Sequence, residues 1–477
     1  MGQFHLKPHV VILGAGPAGL GAAYRLAEKA QVTVIEQKSR VGGNAGSFDV
    51  AGIKVDYGSH RLHPSCDPGV LADIRKLIGD DLLDRPRHGR IQLQGRWIHF
   101  PLKPFDLALK LPPAFILGVA ADGLAKLKPE RLKLAGEENF ATVMEKGLGS
   151  TICKDFYFPY ARKIWGKDPS ELSSNQARRR VSAGSIGKMV RRVISAVPGF
   201  RPAGSGRFYY PRLGFGQIAE GYYRAAEKEG VTFIFQSRVQ SVDTSDANKI
   251  TVTVETDNQA AEIKADRVWS TIPLNVFANL LKPLPPAEVL PTGKGMEFRA
   301  MILIYLVIAQ AQFSPYDAHY FPDLDIPISR LSEPKNYSAS IEPGDRTVLC
   351  AELPCSPEDD AWSMEDPALG SLVSEALKHA GIPIAAPIQQ VHVQRLRYAY
   401  PIYLQGYEKY FEKLDGWIGE QQRLLTFGRQ GLFAHDNTHH ALFMAYCAAD
   451  CLNSDGSFDR DKWLAYRQIF ETHVVED

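Results

Sequence analysis

The residues of this chain whose types and spacing can do chemistry begin at position 14. Gly14-Ala15-Gly16-Pro17-Ala18-Gly19 follows an apolar run, Val10-Val11-Ile12-Leu13, and precedes a segment with helical spacing, Leu20 to Lys29. A second apolar run, Val32-Thr33-Val34-Ile35, ends on Glu36, 22 residues beyond Gly14. Strand, G-x-G-x-x-G turn, helix, strand and acid in this order form the dinucleotide-binding fingerprint. Gly14 makes the tight turn, Gly16 lets the backbone approach a pyrophosphate, and Gly19 lets helix pack on strand. The helix start faces the phosphates with free N–H groups and a partial positive charge. Glu36 stands where a carboxylate accepts the hydrogen bonds of a ribose. A glycine-rich turn with no ligand is the plain alternative, and the order of the elements argues against it.

Other reactive residue types form no comparable pattern. The six cysteines, at 66, 153, 350, 355, 447 and 451, make no C-x-x-C or zinc-like spacing and read as reduced, buried thiols of a cytoplasmic protein. No Ser-His-Asp or Cys-His nucleophile spacing is visible. His439 and His440 are adjacent on a helix start, so they point to different faces and no metal is proposed. The net charge of +1 offers no global case for a nucleic-acid partner. Strand-forming residues begin within ten positions of Met1, so no signal peptide is expected there.

Beyond the second strand come Gln37, Arg40-Val41-Gly42-Gly43 and Val55-Asp56-Tyr57-Gly58-Ser59-His60. These segments resemble the FAD-binding superfamily of amine oxidases, protoporphyrinogen oxidases and UDP-galactopyranose mutases. In that superfamily R-x-G-G extends the FAD site and D-x-G-x-H runs beside the isoalloxazine ring. The usual Gly-Gly-His is Gly58-Ser59-His60 here. The resemblance extends over nearly the whole chain and is nearest to the mutase-like branch. Its ordered motifs include Gly95-Arg96-Trp97, Lys163-Ile164-Trp165-Gly166, Phe208 to Gly216, Ala265 to Pro273 with Thr271, Ser329-Arg330, Tyr398-Ala399-Tyr400-Pro401 and Gly428-Arg429. Asn437-Thr438 opens the last helix, where the family's backbone N–H groups reach the flavin pyrimidine, and Val239 ends a strand on the cofactor side. The resemblance thus implies FAD as cofactor.

By position, Arg180 and Arg330 correspond to the arginines that hold a nucleotide-sugar pyrophosphate in the mutases, a task suited to a planar guanidinium. The alternative is that each pairs with a carboxylate, such as Glu333 near Arg330. The mutase tyrosine after the Gly-Arg-x-Gly turn is absent, its loop is shorter and leaves His435 nearby, and Leu102-Lys103 replaces the uracil-contacting pair. His60 is the candidate general acid or base, since an imidazole titrates near neutral pH; the alternative is a structural histidine bonded to the backbone. Tyr400 and His435 are candidate cavity residues, or packing.

The elements that must position these groups read as an α/β protein. A Rossmann-type FAD-binding domain, with a parallel sheet, helices and a small antiparallel sheet, is interleaved with a mixed helical and antiparallel-sheet substrate domain. The expected divisions are 1–101, 206–290 and 396–477 for the FAD-binding parts, 102–205 for a helical cap and 291–395 for a substrate sheet. A length of 477 residues with 45% hydrophobic and 23% charged residues suits such a globular chain. Pro64 to Asp84 reads as helix, Gly230 to Val242 and Glu262 to Ser270 as single strands. Gly214-x-Gly216 lacks the strand and third glycine of a second dinucleotide turn, so an external electron carrier or reductant must meet the flavin. Residues 102–135 include an apolar run, Pro112 to Ala125, among lysines; a helix of the cap and a membrane-surface segment are both open readings.

Three functions follow. The first is an FAD-dependent oxidoreductase moving a hydride between flavin N5 and a small-molecule substrate, phosphorylated, nucleotide-linked or otherwise anionic. The second is a redox-neutral isomerase acting on a nucleotide sugar through reduced flavin. The third, not an enzyme, is a flavin-dependent scaffold or a membrane-surface protein using residues 102–135.

Overall fold

The computed structural model describes residues 7–101, 106, 109–125, 138–180, 206–290 and 295–475. Its nucleus is a five-stranded parallel sheet in the order Leu424–Thr426, Arg267–Ser270, His9–Leu13, Gln31–Ile35 and Thr232–Ile234. The central strand is apolar on both faces because both are covered. Val10 and Ile12 face one core with the helix Pro17–Leu26. Val11 and Leu13 face another with Phe277 and Leu414. The helix Pro17–Leu26 packs against the last long helix of the cofactor side, Thr438–Asp450. A Cβ at Gly21 would stand 3.0 Å from Ala445 Cβ, so the missing side chain sets how closely the two helices approach.

A seven-stranded sheet forms the second layer, in the order Ile388–Ile402, Glu297–Ile308, Thr347–Cys355, Arg330–Ser332, Ala318–Tyr320, Gly89–Leu93 and Arg96–Phe100. Alternation along Glu297–Ile308 divides its side chains between two cores. Ile302, Ile304 and Leu306 meet Leu369, Val373 and Leu377 of the helix Asp366–His379. Met301, Leu303, Tyr305 and Val307 meet Phe48 and Val55 of the hairpin Ser47–Val50/Ile53–Asp56. That hairpin therefore seats the cofactor-side chain directly on the second sheet.

Several elements differ from the sequence reading. The helix near residue 70 runs only from Pro68 to Ile78, where Gly79 at a φ of 58° ends it, and Leu82–Pro86 is a strand paired with Arg207–Pro211. The segment after Gly230 is two strands, Thr232–Ile234 in the parallel sheet and Ser237–Asp243 in a four-stranded sheet. The run ending at Ser270 divides in the same way, Gln259–Ala265 in the smaller sheet and Arg267–Ser270 in the parallel one. The fifteen-residue strand Ile388–Ile402, unread in the sequence, carries polar residues at most of its first half. The described part of the cap is helical, including Pro113–Ala125, Phe140–Leu148 and Phe158–Trp165. Leu102-Lys103 and the basic residues from 181 to 205 lie outside the described residues.

Buried polar groups fasten the second sheet. Lys163 donates to the carbonyls of Phe321, Asp323 and Ile328. His319 is 2% exposed; Arg90 Nε donates to its Nδ1 at 3.0 Å, and its Nε2 donates to Ser314 Oγ at 3.1 Å. Burial and the neighbouring Arg90 charge push this imidazole down to about 3. An unfolded histidine titrates near 6.5, so the neutral ring's contribution is complete above about pH 6.5 and is lost as pH falls toward 3. In His319→Gln, whose amide keeps both bonds without titrating, the slope of unfolding free energy between pH 6 and 4 should be shallower by up to about 1.4 kcal/mol per pH unit. Urea unfolding at a series of pH values measures it.

Candidate functional site

The glycine turn of the central strand opens onto a cleft of about 440 Å³. Gly14 has a φ of 98°, and a Cβ there would lie 2.8 Å from Thr271 Oγ1, so only glycine makes this turn beneath Thr271. At Gly16 a Cβ would meet nothing within 4 Å, because its face is the cleft itself. At Gly19 a Cβ would lie 1.9 Å from Gly14 O, which is the close approach of helix to turn. Glu36 is buried, and its carboxylate accepts from Ala15 N at 2.8 Å and Lys38 N at 2.9 Å. It thereby pins the turn to the end of the second strand while lining the cleft. Gly42 N donates to Ala15 O at 2.8 Å and fastens the next loop to the same turn.

Of the residues singled out in the sequence, Gly14, Gly16, Pro17, Ala18, Glu36, Gln37, Gly43, Ser59, His60, Thr271, Arg330, Arg429, Asn437 and Thr438 line this cleft together. Gly19, Gly42, Gly58 and Gly428 stand behind the wall; a Cβ at Gly428 would lie 2.5 Å from Ala18 Cβ. Arg40 is exposed, over the Phe48 ring, and Val239 packs on the core beneath the parallel sheet. Tyr400 and His435 do not line the cleft. His435 is 2% exposed, lies 2.8 Å from Pro401 O through Nε2 and stacks on Tyr400, so packing explains both. The side chain of Arg180 lies outside the described residues.

Arg330 is not paired with Glu333. Sheet register places it opposite Glu352, and its Nε and Nη2 each donate to that carboxylate at 2.9 Å. Glu333 instead accepts from Phe313 N, Ser314 N and Thr347 Oγ1. Glu352 shares its strand face with Val348 and Cys350, the face turned to the cofactor-side hairpin, and its Oε1 also accepts from Ser59 N at 2.8 Å.

His60 follows directly. Its ring stacks on Phe215 at 5.3 Å, and Nε2 donates to Tyr57 O at 3.0 Å. Burial pushes the imidazole below its ordinary range against the pull of nearby Asp56, so the ring is neutral with Nδ1 unprotonated. Asp56 is itself buried, and burial pushes its carboxyl upward although Ser47, Tyr210 and Phe215 N all donate to it.

Sequence reasoning missed the arginines around this end of the cleft. Arg61 donates to the Tyr320 and Tyr337 hydroxyls at 2.9 and 3.0 Å and faces Asp317 at 3.4 Å. Tyr337 also bonds Ser59 Oγ. Arg87 lies over Phe100 and Arg207 pairs with Asp84. With Arg330 and Phe208 they form an aromatic-floored chamber, and the carboxylates answering them stand behind, outside the lining. Arg61 was available as the next residue after His60, and Glu352 as the sole charge in an apolar strand.

At the far end, Asp436 is buried between Arg179, His440 and His473, at 3.7, 3.5 and 3.5 Å. Burial works to raise its carboxyl, and the two histidines more than reverse this. A ligand atom from each of Asp436, His440 and His473 lies within 4.8 Å of the other two, a spacing that a metal ion could bridge, and the two imidazole rings stack at 4.2 Å and 13°.

The family model described as flavin-containing amine oxidoreductase matches residues 17–440. The chain belongs to that family. FAD is the cofactor of this flavin family, and the open face of Gly16, the pinned turn and the uncapped start of the helix Pro17–Leu26 fit its pyrophosphate. The chain is 26% identical over 299 residues to the chloroplastic protoporphyrinogen oxidase of Oryza sativa subsp. japonica, 57% of this chain and 54% of that protein. It spans about half the length of the curated relatives it matches first. Among solved structures, reduced UDP-galactopyranose mutase superposes with a TM-score of 0.80 at 20% identity, covering 98% of this chain and all of that one. A putative protoporphyrinogen oxidase from Exiguobacterium sp. 255-15 gives 0.70 at 19% identity, over 93% and 98% of the two chains. These likenesses show the flavoprotein fold of the family. Among the described residues no helix is long and apolar enough to cross a membrane.

Two outcomes check the site. Gly16→Ala should leave the unfolding temperature of the flavin-free protein unchanged and weaken FAD binding by about tenfold or more, measured by fluorescence titration. Glu352→Gln should cost about 3 kcal/mol in chemical unfolding, because it strands a buried guanidinium, and Arg330→Met in the same chain should recover part of that loss.

Proposed function

We propose that this flavin oxidoreductase moves a hydride between a small anionic molecule and flavin N5, and that the chamber walled by Arg61, Arg87, Arg207 and Arg330 holds that molecule. The chamber carries the proposal: guanidinium groups line it, their carboxylates stand outside it, and it is continuous with the nucleotide turn. FAD, when bound, supplies the two-electron chemistry. The chain's own residues orient and charge the site. Arg61 and Arg330 are held by neighbours that fix their forks, so they present remaining N–H donors to carboxylate or phosphate oxygens at little ordering cost. Phe208 gives the substrate body an apolar floor. The neutral His60, anchored through Nε2, offers Nδ1 as the base that takes the proton from the heteroatom or carbon next to the one that gives up its hydride. An external carrier or oxygen completes the electron balance.

The mutase reading draws on the resemblance of fold and on Arg330, which lines the cleft with its remaining N–H donors free to face a pyrophosphate as well as a carboxylate.

The purified protein should be yellow, with the spectrum of oxidised flavin. Anaerobic addition of a carboxylated or phosphorylated substrate should bleach it, and air or a quinone should restore the colour. Arg61→Met should raise KM for that substrate by roughly ten- to a hundredfold with FAD content unchanged, the loss of a charged hydrogen-bonding partner. Equal KM values for charged and uncharged substrate analogues would overturn the anionic assignment. Conversion of a nucleotide sugar by the reduced protein without electron flow would replace the oxidoreductase with the mutase.

A further inference from the structure

The Asp436 carboxylate is shut away from solvent, and neither of its oxygens has a hydrogen-bond partner. A buried charge left unpaired is costly, so such a group marks a place where something further satisfies it. The nitrogens around it all stand beyond the about 2.7–3.2 Å of a good hydrogen bond. His440 Nδ1 lies 3.5 Å from Oδ1, His473 Nδ1 3.5 Å from Oδ2 and Arg179 Nη1 3.7 Å from Oδ1. Arg179 has another acceptor, Phe470 O at 3.4 Å.

Too long for hydrogen bonds, the two histidine distances suit ligands that share an ion. Donors held about 2.1 Å from a tetrahedral zinc ion stand about 3.4 Å from each other. Two imidazoles and a carboxylate are also a donor set that zinc favours. Among the described residues no other three histidine, cysteine or acid side chains bring their ligand atoms this close. His440 Nδ1 accepts from Asn437 N at 3.3 Å, so in that tautomer it carries the lone pair that a ligand needs. His473 Nδ1 is buried without a hydrogen-bond partner, so it has no bond to lose. Because the two rings lie face to face, an ion is reached by turning the His473 side chain, which stands in the tail beyond the helix Arg460–Phe470. The pairing is therefore not that of the adjacent His439 and His440. It joins the first turn of the helix Thr438–Asp450 to the end of the chain, beside the cleft that Asp436 lines.

We propose that Asp436, His440 and His473 form a site for one zinc-class divalent cation, which clips the tail of the chain to the cofactor-side helix. FAD-loaded protein without a histidine tag is dialysed against EDTA, returned to metal-free buffer and titrated calorimetrically with zinc chloride. The expected result is one zinc per chain at micromolar or tighter affinity. Zinc at about a hundredfold above its dissociation constant should raise the unfolding temperature by about 2 °C or more. Magnesium, which demands oxygen ligands, should do neither. His473→Ala and the bulkier His473→Gln should each weaken zinc binding by at least about tenfold. FAD content should stay unchanged in both, because His473 does not line the cleft. His379→Ala, which removes an exposed histidine paired with Asp325, should bind zinc as the wild type does. Zinc that survives dialysis, measured by atomic absorption, supports the site when the His473 variants lack it. No heat and no thermal shift up to about 100 μM zinc, with none retained, leave the carboxylate to buried water and overturn the proposal. Undiminished binding by the His473 variants makes the zinc adventitious and equally overturns it.

Discussion

One buried carboxylate ties the two halves of this protein together. Glu352 is the one charge in a fully buried strand, where an unpaired charge would be intolerable. Its solution is complete: the Arg330 fork from the neighbouring strand and the Ser59 N–H from the cofactor side. Because His60 and Arg61 are the next two residues, the same bond that relieves the charge also sets where the His60 imidazole and the Arg61 guanidinium stand. Asp56, four residues before His60, repeats the device on the other side by gathering Ser47, Tyr210 and Phe215 N. The loop at the cleft is thus held between two buried acids, each anchored to a different part of the chain.

This arrangement gives the side chains of the cleft wall fixed partners. Charges in a low-dielectric interior demand partners at fixed distances, and partners at fixed distances hold side chains in single rotamers. Arg61, fixed by two tyrosine hydroxyls and Asp317, is oriented before any ligand arrives.

The nucleotide half of the site was legible because it is local. Gly14 to Glu36 spans one strand-turn-helix-strand unit, and the steric needs of each glycine can be stated without knowing the rest of the fold. The arginine-lined end of the cleft was not, because register and parity assemble it across hundreds of positions. Glu333 looked like the partner of Arg330 by nearness in sequence, yet strand pairing presents Glu352, 22 residues away. His435 faces inward to Pro401 and Tyr403, and Tyr400 stacks on it beneath Arg429, one layer behind the cleft wall. The strand Ile388–Ile402 escaped notice because its exposed first half has polar residues where a buried strand would be apolar.

The parallel sheet also has a consequence for biosynthesis. The central strand ends at Leu13, yet one of its immediate neighbours begins at Arg267, and the strand beyond that begins at Leu424. The helix that covers its first helix starts at Thr438. A ribosome therefore displays the complete glycine turn long before the residues that bury its strand have been made. The nascent chain must keep Val10 to Leu13 from other apolar surfaces until nearly its last segment emerges, so a prematurely terminated chain has no closed cofactor sheet and is a substrate for chaperones and proteases rather than a smaller flavoprotein.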